Sequence, residues 1–151
     1  MQVDVEGIRL HVEESGDGPP LLLINGIGAH AGMWKPLREA LPGPRLIAFD
    51  APGTGRSATP PIPLSLEAIA RVAEGVLDEL GVEQADVLGY SFGGAVAQRL
   101  ARRSPERVRR LVSPPPRRGG APCRARYARS RGCRRRCGTT GARTTSRSPA
   151  T

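Results

Sequence analysis

The chain has 151 residues, 38% of them hydrophobic and only 3% aromatic, and a formal net charge of +9, which is one domain's worth of chain with enough apolar content to bury a core. The charge divides it: residues 1–112 hold 12 basic and 14 acidic side chains, whereas residues 113–151 hold 11 arginines and no acid. A nucleic-acid or anionic-surface reading of the high isoelectric point is therefore excluded for the first 112 residues, and no run of 18 apolar residues is present to cross a membrane.

Met1-Gln2-Val3-Asp4 enters strand-like sequence directly, with neither a basic nor an apolar leader region, so a cytoplasmic location is expected. Val3–Val5 and Ile8–Glu13 alternate apolar and polar residues across Glu6-Gly7, the pattern of an antiparallel hairpin. In that alternation His11 shares a solvated face with Arg9 and Glu13. Leu21–Ile24 is a continuous apolar run, as in a central strand buried on both faces, and the glycine-rich 26–32 leads to a short helix over Met33–Leu41. Arg45–Asp50 predicts another strand, followed by the loop Asp50–Ser57 and a proline-rich connection through Pro63. Ser65 is placed to cap a helix whose Leu66, Ile69, Ala73, Val76, Leu77 and Leu80 share one face, and Gly81 ends it. Val108–Val112 is the last strand-like segment. Strands alternating with helices imply a doubly wound, mostly parallel α/β sheet.

Asp86–Ala97 carries the chemistry. It reads as a buried strand, a one-residue corner at Ser91, and a helix. Such a corner strains the serine backbone and leaves no room for a Cβ at Gly89 or Gly93. It also lifts a hydroxyl to a helix start, where the unpaired Phe92 N–H and the helix dipole favour an oxyanion.

Four stretches recur in a recognisable order: Asn25-Gly26-Ile27-Gly28, Phe49–Ser57, Gly89-Tyr90-Ser91-Phe92-Gly93-Gly94 and Ser104–Val108. Together they resemble the N-terminal half of an α/β-hydrolase. Asn25-Gly26 in place of the usual His-Gly, with the sequence around 49–57 and 90–97, is most similar to intracellular poly(3-hydroxyalkanoate) depolymerases of the medium-chain type. The resemblance covers residues 1–112 and implies Ser91 as nucleophile and the Ile27 N–H as second oxyanion donor beside Phe92. Asn25, Gly26, Gly89 and Gly93 would support them. It implies an ester or polyester substrate, such as polyhydroxyalkanoate granules, and neither cofactor nor metal.

The resemblance stops at Leu111-Val112, before the family's catalytic acid and histidine, so the sheet is expected to end after about six strands and the chain to be inactive as given. The tail, 113–151, lacks Leu, Ile, Val, Phe, Met and Trp. It cannot offset its own ordering entropy and is expected to be disordered, with an open sheet edge beside it. Its Arg/Gly/Ala/Pro/Thr/Ser/Cys mixture is that of an out-of-frame reading of a GC-rich gene. Cys123, Cys133 and Cys137 have no zinc-like spacing.

Other readings stay beside this one. His30, in the loop next to the expected oxyanion site, is the nearest alternative base, and Asp50 an alternative acid, although turn stabilisation explains Asp50 better. Asp50–Ser57 lacks the lysine of a phosphate-binding loop. Another small ester, or a carbon–carbon bond, is the rival substrate. A noncatalytic basic protein binding nucleic acid through the tail is the rival class, but a lone Tyr127 offers little base stacking and no specific nucleic-acid partner is expected.

Overall fold

The computed structural model describes residues 1–113 and 126–129. The chain opens with the expected hairpin, β1 (Gln2–Val5) and β2 (Ile8–Ser15), paired antiparallel. Four strands, β3 (Pro20–Ile24), β4 (Arg45–Phe49), β5 (Ala85–Gly89) and β6 (Val108–Ser113), then run parallel in the spatial order β4-β3-β5-β6. β2 joins this sheet antiparallel along β4. From β3 the chain moves outward to β4 and returns to β5 on the other side of β3, so the strand order reverses between β3 and β5. Open α/β sheets bind ligands at such a reversal, outside the carboxyl ends of the strands.

Helices cover both faces unequally. On one side lie α2 (Leu66–Glu79) and α3 (Phe92–Arg103). Ser65 caps α2 as its position predicts, its hydroxyl accepting the Ala68 N–H at 3.2 Å, and Gly81 follows the helix at φ 64°. Their apolar stripes pack on Leu10, Val12, Leu22, Ile24, Ile47, Phe49 and Val87 to form the main core. The alternate side chains of the same strands, Leu23, Leu46 and Ala48, meet Ala31 and form a smaller cluster under Trp34 and Leu37. That side is covered by a 3₁₀ turn, Ala31–Trp34, running into the short α1 (Lys35–Ala40), so the expected helix begins two residues early and in tighter form.

Two expectations are corrected. His11 is buried, not solvated, at 7% exposure. Its face of β2 is closed by Glu13, which accepts from Arg38 of α1 and from Arg56, and by the 50–57 loop, where Ser57 Oγ accepts the His11 N–H at 2.9 Å. Alternation in a strand shows which residues share a face, but not what covers that face. The edge beyond β6 is also not left open: β7 (Arg126–Arg129) pairs antiparallel with β6, Val112 opposite Tyr127. An unpaired strand edge is a template for any nearby extended segment, and four tail residues occupy it. The rest of the tail, including its three cysteines, lies outside the described residues.

Candidate active site

Ser91 is the second of the two residues between β5 and α3, at φ 55° and ψ −117°, one of two described non-glycine residues with positive φ. A serine held there costs on the order of 1–3 kcal/mol, and such strain concentrates at functional sites. The corner is pinned on both sides. Tyr90 N–H donates to Ile24 O at 2.9 Å, and the N–H groups of Gly93 and Gly94 donate back to Tyr90 O and Ser91 O. A Cβ on Gly89 would lie 2.3 Å from Gly93 O, and one on Gly93 would lie 2.1 Å from Ile24 O. Both glycines are thus required by contact. Gly89 admits α3 against β5, as the sequence predicts, whereas Gly93 admits α3 against the end of β3.

The segment after β3 reaches the same point. A Cβ on Gly26 would lie 3.4 Å from Ser91 Cβ and 3.5 Å from Tyr90 O, so Gly26-Ile27 passes beside the serine. Gly28, at φ 74°, turns the backbone there, and the Ile27 side chain points into solvent at 83% exposure. Phe92 N–H is in the first turn of α3, where no intrahelical acceptor exists. Ser91 itself is exposed. It lines a cleft of about 540 Å³ with Asn25, Ile27, Trp34 and Phe92. A second, mostly apolar cleft of about 510 Å³ lies under Pro60, Pro61 and Pro63 and over Ile69 and Val96. The two share Asn25, Gly26, Ile27 and Phe92 as a common wall.

Asp50 takes the structural part. Buried at 2% exposure, it accepts the Ala31 N–H on Oδ1 at 2.5 Å and the Arg56 N–H on Oδ2 at 2.8 Å. One carboxylate therefore ties the loop that starts at Asn25 to the loop that follows β4. A Cβ on Gly55, itself at φ 52°, would lie 2.1 Å from Asp50 Oδ2, so only glycine fits beside it. His30 is exposed, its ring lies against Gly32, and it does not line the Ser91 cleft. Among the described residues no histidine or carboxylate bonds the Ser91 hydroxyl. The same residues include no group of three side chains suited to a metal and no helix long and apolar enough to cross a membrane.

Two carboxylates have perturbed titration, Glu13 and Glu74. The hydrogen bond from Arg38 holds the Glu13 carboxyl below the usual range; burial opposes this, and His11 adds to the lowering. Burial pushes Glu74 up, but the Ser104 hydroxyl and Arg103 together outweigh it, and its pKa is also lowered. Neither group touches the Ser91 cleft.

Three features were not read from the sequence: the apolar cleft under the prolines, the place of Trp34 in the wall of the Ser91 cleft, and the double engagement of Asp50. The run of prolines at 60–63 beside an amphipathic helix was the available signal for the first.

Residues 19–116 match the alpha/beta hydrolase fold family, and the chain belongs to it. It is 46% identical over 114 residues to a poly(3-hydroxyalkanoate) depolymerase of Ectopseudomonas oleovorans, covering 74% of this chain and 40% of that protein. It is 42% identical over 116 residues to a 2-hydroxymuconate semialdehyde hydrolase of Pseudomonas sp. strain CF600, covering 74% and 41%. Among solved structures it is similar to the enol-lactonase from Burkholderia xenovorans LB400, with a TM-score of 0.71 and 30% identity over 74% of this chain and 45% of that one. The chain spans about two fifths of the length of these curated relatives.

Proposed function

We propose that this chain carries the nucleophile half of a serine hydrolase acting on carboxylic esters, with poly(3-hydroxyalkanoate) in the cytoplasm as substrate. The backbone of Ser91, at φ 55° on a strand-to-helix corner, is the observation that carries this reading. Ser91 Oγ attacks the ester carbonyl carbon as its proton passes to a base, and the Phe92 and Ile27 N–H groups receive the oxyanion. The alkoxide then leaves with that proton, and water releases the acid. Neither of the two histidines in the sequence stands at Ser91, and residues 113–151 hold no histidine or acid, so this chain does not itself supply the base. The polyester assignment is supported by the depolymerase relative and by Asn25-Gly26. The similarity to a semialdehyde hydrolase favours a carbon–carbon bond as the second reading.

Acid release from methyl 3-hydroxyoctanoate by the purified chain tests the placement of the base. Turnover is expected to stay at the residual level left when a triad member is absent. Rapid turnover that disappears in both Ser91→Ala and His30→Ala would make His30 the base and overturn it. The same assay with 2-hydroxymuconate semialdehyde decides the substrate: the faster of the two substrates identifies the bond that is cleaved.

A further inference from the structure

Two side-chain nitrogens among the described residues are buried without a hydrogen-bond partner, Asn25 Nδ2 and Trp34 Nε1, and both belong to residues lining the Ser91 cleft. A buried donor left unpaired forfeits its bond to water and receives nothing in return, so native structures hold few of them. Both residues line the cleft that holds the serine. From this we infer that the cleft recognises a second acceptor oxygen on the substrate, a carbonyl or hydroxyl oxygen near the reacting carbonyl, through the Asn25 carboxamide and the Trp34 indole N–H. The inference rests on the reading of this cleft as the substrate site.

The geometry fits such a role. Asn25 directly follows β3 and lines both clefts, in the wall it shares with Ile27 and Phe92. Its side chain is half-buried, and an amide torsion is broad and soft, so turning the carboxamide toward a ligand costs little. Trp34 ends the 3₁₀ turn that Asp50 holds through Ala31, and it lines the cleft half-buried. A site that hydrogen-bonds a substrate oxygen discriminates strongly against an analogue lacking it, because its own donors are then left unpaired. The cleft under the prolines is lined by Asn25, Thr54 and Thr59, and only the Ser91 cleft brings Asn25 and Trp34 together.

Trp34 is the sole tryptophan of the chain, so its emission and its single indole N–H resonance report on this cleft without labelling. Wild-type protein is titrated with methyl 3-oxobutanoate and with its close isostere methyl 3-methylbutanoate, which replaces the second oxygen by a methyl group. The oxo ester is expected to bind about tenfold tighter, the worth of one hydrogen bond. It should also move the indole N–H resonance downfield, and the isostere should not. Asn25→Leu, which keeps the size and removes one of the two donors, should weaken only the oxo ester and cut its preference several-fold, leaving what the Trp34 N–H supplies. Equal affinities in the wild type with no indole shift, or a preference unchanged in Asn25→Leu, would overturn the inference. Should Asn25→Leu fail to fold, the indole shift in the wild type decides. Binding is read here without turnover, so a failed preference is distinguishable from failure of the hydrolase reading, which is tested by Ser91→Ala.

Discussion

The two faces of the sheet are built differently. The face under α2 and α3 holds twenty buried apolar residues in one cluster, whereas the face under α1 holds four and is completed by the polar group His11, Glu13, Arg38 and Arg56. The difference follows from helix length: α2 has 14 residues and α3 has 12, but α1 has six, under two turns. A short helix buries little, so ion pairs and hydrogen bonds take over part of the covering. Cohesion lies on the first face, and the second face, with the 3₁₀ turn and Trp34, bears part of the Ser91 cleft.

Truncating one leucine on each side breaks this comparison most sharply. Leu77→Ala, fully buried on α2, is expected to lower unfolding free energy by about 2–5 kcal/mol. Leu37→Ala, half-buried on α1, should cost about 1 kcal/mol, because part of its surface is already in water. Urea melts of the two variants measure the ratio, and equal losses would mean that α1 contributes as much as α2.

A smaller effect of opposite sign is expected at the corner. Ser91→Gly relieves a positive φ at the cost of added backbone entropy in the unfolded chain, and should stabilise the protein by about 1 kcal/mol in the same melts. A loss of stability would show that the serine conformation is unstrained.

Acid gives the smallest effect and sharpens the contrast. Glu13 and Glu74 both have folded pKa values below those of the unfolded chain. Their stabilisation is therefore fully present above about pH 4.3, the ordinary glutamate value, and is lost as pH falls through the lowered folded values. Glu13 braces α1, so Trp34 emission should change in that window before far-ultraviolet dichroism does. Glu13→Gln, which gives up its charge-assisted bonds with Arg38 and Arg56, should remove that early phase.

Much of this architecture was legible in the sequence because local chemistry specified it. The apolar run Leu21–Ile24, the Ser65 cap, the Gly81 stop and the glycines around Ser91 each act through their own backbone or nearest neighbours. What escaped depends on residues distant in sequence. His11 looked solvated because Ser57 and Arg38 cover its face from 46 residues away and from α1. β7 was missed because Arg126–Arg129 lacks strand-like apolar content and is placed by the edge of β6. For the site, the sequence pointed to the serine and to the glycine-rich segment beside it, but not to Trp34 or to the double role of Asp50. Both depend on how the 3₁₀ turn docks against the end of β4.

The central claim is that Ser91 is a nucleophile poised by its corner and short of a base. Labelling the chain with a fluorophosphonate, with and without added imidazole, and locating the adduct by peptide mass spectrometry tests it most directly. Imidazole takes the hydroxyl proton as the oxygen–phosphorus bond forms and fluoride leaves. The expected result is a single adduct on Ser91, formed faster in imidazole and absent in Ser91→Ala. Labelling spread over other serines, or a Ser91 rate indifferent to imidazole, would contradict the claim.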